Sequence, residues 1–324
     1  MENKLSIYLN SINNKKEYNT TSIKYLALYG FYKSIDNYPK DIIKSCTNNS
    51  NSKICTMLSF YKNNNKNSVD IIRKEIYENN EKSNWIFFEA NPLARYRKYE
   101  YKLDNEFLRV CFESVYHSES KYISTKNRWD MIKKKTGIEV LPWRKKGKHI
   151  VIIFNSCSES GYSMKNTNIH KWVNDSIQII RQSGCKREIR LRFKSKYEST
   201  NIVNKNTIQV LNNNIIYTYI DPIGNLTICN NNKLGLVDEL HNAWATVLYS
   251  TSACVISVIK GIPVFVGSKD AITYNISNTD LSKIETPIMP ERDKFFHELS
   301  NQLWSLEEIG NGTLWKEVKN FYKL

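Results

Sequence analysis

The chain has 324 residues, enough for about two domains and a sizeable core. Its formal charge of +15 favours a polyanionic or acidic partner. No apolar run reaches the roughly 18 residues that cross a bilayer, and the seven scattered cysteines contain no CxxC pair.

The N-terminal MENKLSIYLNSINNKKEYN lacks the apolar region of a signal peptide, so a cytoplasmic protein with reduced thiols and no membrane contact is expected. The five His and the Cys show no ligand spacing, so no metal site is expected.

In chain order, Leu5–Leu9 is a possible first strand and Ser22–Tyr32 has helical spacing. Ile54–Tyr61 reads as a buried strand, Val69–Asn79 as a helix capped by Ser68, and NWIFFEA (Asn84–Ala90) as another strand. The order strand, helix, strand predicts a parallel sheet in this half. In the loop Asn91–Asp104, Arg95, Arg97 and Lys98 alternate with Tyr96, Tyr99 and Tyr101. Rings that stack on bases beside cations that reach phosphates suit nucleic acid. A Tyr-rich loop packed on its neighbours would give the same pattern.

Phe107–Val115 reads as a strand with Glu113 near its carboxyl end, and His117 and Glu119 follow. Carboxylates and imidazoles at the carboxyl ends of parallel strands are where α/β proteins place chemistry, so Glu113, His117 and Glu119 are the candidates for a general base, with Glu113 or His117 foremost. From Lys121 to Lys148, ten Lys/Arg face only Asp130 and Glu139. Seven more between Arg181 and Lys196 face only Glu188, so two short windows hold nearly all the excess charge. Lys133, Lys134, Arg144 and Lys145 are therefore expected to contact a polyanion backbone. Leu141–Lys148 (LPWRKKGK) reads as an interdomain linker.

HIVIIFN (His149–Asn155) is a continuous apolar run, as in a strand buried on both faces. A Ser-rich loop follows, with Ser163 beside Gly161, and then an amphipathic helix over Ile169–Ser183 that Gly184 stops. EIRLRFKSK (Glu188–Lys196) alternates strictly, placing Arg190, Arg192, Lys194 and Lys196 on one side. Cations stacked this way repel unless an anion or a carboxylate compensates them.

The stretch Leu234–Val266 runs through a short helix, a strand, the turn Ser250-Thr251-Ser252, a helix stopped by Gly261 and a second strand. That βαβ order puts the three hydroxyls at the carboxyl end of a strand and the start of a helix, a place to hold a phosphate. The same hydroxyls would equally serve as helix caps.

On the IRLRFKS strand and LVDELHNAWATVLYSTSACVISVIKGIPVFV, the half from about 147 to 300 resembles the donor domain of glycosyltransferases of the two-Rossmann (GT-B) architecture. The PW–basic–G–strand and DLSKIETP segments are similar to those of tailed-phage proteins. Together these resemble phage glycosyltransferases that decorate hydroxymethylated DNA bases.

The resemblance implies two Rossmann-like domains with parallel sheets facing each other across a cleft. Residues 1–146 would form the acceptor side, 147–300 the donor domain and 301–324 a helical tail. It further implies that Ser250, Thr251, Ser252 and Ser163 contact the donor diphosphate. Arg190, Arg192 or Lys194 would stabilise the departing charge, without a metal or prosthetic group. Phe193-Lys194 stands where the family has Pro-His, so that His role is unfilled.

The implied co-substrate is a nucleotide sugar, with a UDP-sugar foremost. The implied partner is double-stranded DNA, and the implied location is the host cytoplasm. The competing readings are a transferase or sugar-nucleotide epimerase with a non-DNA acceptor, and an inert nucleic-acid-binding protein on the same scaffold.

Overall fold

The computed structural model describes residues 4–8, 23–43, 51–58, 68–94, 96, 107–115, 121, 128–154, 168–193, 199–212, 214–229 and 235–324. They form two units. One comprises Met1–Ala94, Glu100–Ile138 and Asp293–Leu324; the other comprises Arg95–Tyr99 and Glu139–Arg292.

In the first unit, β1 (Leu5–Tyr8), β2 (Lys40–Ile43), β3 (Ile54–Leu58) and β4 (Asn84–Glu89) run parallel. β5 (Phe107–Phe112) then pairs with β4 antiparallel, and the late strand Leu303–Ser305 closes the edge antiparallel to β5. The sheet separates two apolar layers. Helix α1 (Ile23–Ser34) packs Leu28 and Phe31 against Ile86, Phe88, Val110 and Trp315. On the other face Tyr8, Met57, Trp85 and Phe87 surround Ile76 of α2 (Ser68–Asn79). A further helix, α3 (Arg128–Thr136), belongs to the same unit; its buried Arg128 forks onto Glu308 at 2.7 and 2.8 Å.

Residues 301–324 were expected to be a tail. Here residues 293–324 complete the first unit, because Trp304, Leu314, Trp315 and Val318 need its apolar layer to be covered.

In the second unit, β6 (His149–Ile153) leads through α4 (Ile169–Gln182) to β7 (Glu188–Arg192). An antiparallel trio follows, β8 (Ser199–Asn204), β9 (Thr207–Asn212) and β10 (Ile215–Ile220). Next come β11 (Leu226–Ile228), α5 (Leu236–Glu239), β12 (Ala243–Leu248), α6 (Ala253–Ile259) and β13 (Val264–Val266). The main sheet is parallel throughout, in the order β11-β7-β6-β12-β13. Both faces of β6 and β12 are buried, which explains their unbroken apolar sequences.

Asn168 caps α4, accepting from the His170 and Lys171 amides, and Gly184 (φ 86°) ends it in the left-handed conformation. The trio packs onto α4 through Ile208, Val210 and Tyr219. It is tied there by Arg181, whose guanidinium forks onto buried Asp221 at 2.8 and 2.9 Å.

The segment expected to be a linker is not one. Leu141 N–H donates to Ile259 O and Arg144 N–H to Gly261 O, so it lies along the second unit as an extra packed layer.

Candidate functional site

From β6 the chain crosses to β7 on one side; from β12 it crosses to β13 on the other. Right-handed crossovers in opposite directions place α4 and α6 on opposite faces of the sheet. Accordingly α4 shares its apolar cluster with Ile150, Ile152 and Val247. The adjacent strands β6 and β12 therefore flank a topological switch point, where open α/β sheets bind ligands outside their carboxyl ends.

Three residues line up across this edge: Arg192 pairs with Ile153, and Ile153 with Leu248. Two strand spacings of about 4.8 Å put the Arg192 and Leu248 backbones about 10 Å apart. Ser250, Thr251 and Ser252 follow Leu248 directly, so Arg192 and the hydroxyl turn share one rim, as the sequence pattern predicted.

Capping accounts for little of the turn. Ser252 makes no side-chain cap bond, and Thr251 Oγ1 accepts the Ala253 amide only at 3.4 Å. Ser252 is exposed, Ser250 and Thr251 are half-buried, and α6 behind them is wholly buried.

Arg190 differs from Arg192. Its guanidinium donates to Glu188 at 2.8 Å and to Glu239 at 3.2 Å, and Glu239 is only 2% exposed. Burial works to raise the Glu188 pKa, but bonds from Arg190 and Thr227 outweigh it and hold the carboxyl below its ordinary value. The anion site expected at Arg190 is thus filled by the chain's own carboxylates. Arg192 alone of the two reaches the rim. Lys194 and Ser163 lie outside the described residues.

Beside the rim a groove of about 430 Å³ runs between Trp172, Asp175 and Ile179 of α4 and the segment Gly267, Tyr274 and Asp280. Gly267 is enforced by packing: a Cβ there would stand 2.6 Å from the Tyr249 ring and 2.8 Å from that of Trp172.

In the first unit the expected general base is displaced by strand direction. Because β5 is antiparallel, Glu113 lies at the amino-terminal edge of the parallel strands, opposite the edge where chemistry gathers. There it serves the fold. At φ 69° it accepts from the Trp85 amide at 3.2 Å and from Tyr322 Oη at 2.6 Å. His117 lies outside the described residues.

Among the described residues, Glu89, the last residue of β4, is a carboxylate at the carboxyl edge. It accepts from Lys24 Nζ of α1 and, at 2.6 Å, from the Ala90 amide. Directly opposite it on β5 stands Arg109, 3% exposed, whose Nε donates to Gln302 at 2.8 Å. The signal for Glu89 was present in the sequence as a strand, NWIFFE, that closes on a carboxylate just before an Asn-Pro turn.

The expected DNA contacts fare unevenly. Arg144 is committed to the Leu240 and Ala243 carbonyls at 3.0 and 2.6 Å, and burial lowers its pKa. That corrects its assignment as a DNA contact. Lys133 pairs with Asp130 at 2.8 Å. Lys134 and Lys145 are exposed, while Arg95, Arg97 and Lys98 lie outside the described residues. Among the described residues no group of His, Cys, Asp and Glu could hold a metal, and no helix is long and apolar enough to cross a membrane.

No protein-family profile and no curated protein sequence matches this chain. Among solved structures it is similar to the β-Kdo 2,4 transferase of Thermosulfurimonas dismutans KpsC. That match has a TM-score of 0.53 and 8% identity, over 93% of this chain and 90% of the other. The β-Kdo 2,7 transferase of the same KpsC aligns over 97% of this chain and all of the other at 12% identity, with a TM-score of 0.47. At such identities the first likeness establishes a shared α/β fold across nearly the whole chain.

Proposed function

We propose that this protein is a GT-B-like glycosyltransferase that moves a sugar from a nucleotide-sugar donor to a hydroxyl of a glycan. In this reading the donor's phosphate lies at the rim of the second unit. One observation carries it: Arg192 and the Ser250-Thr251-Ser252 turn share the carboxyl edge of a parallel sheet beside its switch point. As the bond to the sugar breaks, the leaving phosphate gains charge. A fixed guanidinium and hydroxyl donors then stabilise the transition state more than the bound donor. The fold shared with a Kdo transferase supports this class and makes activated Kdo a donor to test beside UDP-sugars.

The DNA-base acceptor expected from the sequence rests on charge. Of the described candidates, only Lys134 and Lys145 stand exposed without a fold-bound partner. A glycan acceptor is therefore the better-supported reading.

The test incubates the protein with UDP-glucose, GDP-mannose and CMP-Kdo, offering hydroxymethylated DNA or a Kdo-bearing oligosaccharide, and weighs the products. Sugar added to the oligosaccharide supports the proposal. Sugar found on nucleosides would reinstate DNA as the acceptor. If no donor is consumed with either acceptor, the transferase reading falls.

A further inference from the structure

We propose that the groove beside the second unit's rim is a carbohydrate-binding site that takes an uncharged sugar of a glycan. This goes beyond the transferase reading, since binding there needs no transfer. All of the groove's lining comes from α4 and from the chain between Val266 and Leu281, so one unit builds it. Its volume of about 430 Å³ lies within the roughly 300–1,000 Å³ usual for small-ligand sites.

The segment facing α4 is fixed by its own bonds. Asn278 N–H donates to Val264 O at 2.8 Å and Val266 N–H to Asn278 O at 2.9 Å, which ties it to β13 like a further strand. The Asn278 side chain bonds the Ile288 carbonyl and amide at 3.0 and 2.8 Å, and Leu281 packs on the apolar cluster that α4 shares. A preformed groove spares a ligand the cost of ordering it.

The lining suits a pyranose. Trp172 is half-buried, Tyr274 is 37% exposed and Ile179 is 40% exposed, so large apolar side chains line the groove without being covered by the fold. The C–H faces of a sugar ring pack on such surfaces, with their positive edges toward the negative face of an aromatic ring. Its hydroxyls need acceptors and donors in the same place: Asp175 and Asp280 accept, and Lys269 donates.

Charge then chooses among ligands. Asp175 already holds Lys171 at 2.7 Å, and Asp280 receives the Ser282 amide and hydroxyl at 3.0 and 2.6 Å. Counting Lys269, two carboxylates stand against two ammonium groups, so neither a phosphate nor an organic cation meets an unbalanced charge. A neutral, hydroxyl-rich ligand fits that balance. Gly267 N–H donates to Leu248 O at 3.0 Å, and Leu248 leads into the hydroxyl turn, so the groove begins beside the rim.

The experiment measures binding of lactose, maltose and N,N′-diacetylchitobiose by saturation-transfer NMR with no donor present, with choline and CMP as charged probes. The wild type should bind at least one disaccharide. Trp172→Ala, Tyr274→Ala and Asp280→Asn should each weaken that binding by about five-fold or more. Tyr274 and Asp280 are exposed, so their variants decide the matter if Trp172→Ala fails to fold. A wild type that binds none of the disaccharides overturns the proposal, and so does a smaller loss in either exposed variant. Binding of choline or CMP that falls in Tyr274→Ala overturns it too, because the groove would then select charge. A protein that binds a disaccharide but consumes no nucleotide sugar keeps the groove and loses the transferase reading; an active transferase that binds no disaccharide loses the groove alone.

Discussion

Arg190 and Arg192 stand two residues apart on the same face of β7, and their surroundings differ. Arg190 neutralises Glu239, a carboxylate 2% exposed, whereas Arg192 ends the strand at the rim. Arg190→Ala should therefore cost about 2 kcal/mol of stability, because it strands a buried acceptor, while leaving nucleotide affinity intact. On the proposed donor site Arg192→Ala should weaken nucleotide affinity, which Arg190→Ala leaves intact; nucleotide titration beside denaturant unfolding separates the two.

Asp221 gives a pH signature. Burial works to raise its pKa, but the Arg181 fork and the Asn225 and Ile223 amides hold it below its ordinary 3.8. A depressed folded pKa adds stability above the unfolded value and loses it as pH falls through the folded one. The melting temperature should then drop steeply below about pH 4. Asp221→Asn should melt lower at neutral pH and decline less steeply in acid.

At the scale of elements, strand direction decides which side chains meet. The sequence pattern placed β5 and its closing Glu113 correctly as a strand and its end. Direction was not legible, because antiparallel pairing with β4 depends on how the intervening chain returns rather than on the strand's own residues. That one reversal puts Glu113 at the amino-terminal edge of the parallel strands and Glu89 at their carboxyl edge. The βαβ unit around α6 was legible because two-sided burial imposes unbroken apolar runs with a Gly stop between them.

The trio β8–β10 was not legible: its exposed β8 (STNIVN) carries neither alternation nor an apolar run. Gly261 shows what a single position holds in place. At φ 67°, with the Pro142 carbonyl against the site of a Cβ, Gly261→Ala should cost about 2–3 kcal/mol and loosen Leu141–Arg144 from the second unit. Thermal unfolding and amide exchange at Leu141 and Arg144 check this.

Across the whole molecule, the late residues return to the first unit, with Leu303–Ser305 as its edge strand and Trp315 in its core. A chain ending at residue 300 should lose the cooperative unfolding of the first unit and aggregate, while one unit's transition persists; calorimetry would resolve the two. The concentrated charge that suggested DNA divides differently once folded, since Arg144 and Arg190 answer carbonyls and carboxylates within the protein. Among the described residues, the second unit's rim carries Arg192 and the hydroxyls of Ser250, Thr251 and Ser252.

The most direct test is calorimetric titration of UDP and CMP into the wild type, Arg192→Ala and a Ser250→Ala/Ser252→Ala double variant. The account predicts binding of at least one nucleotide by the wild type and a loss of about ten-fold or more in each variant. Unchanged affinity in both variants would contradict it.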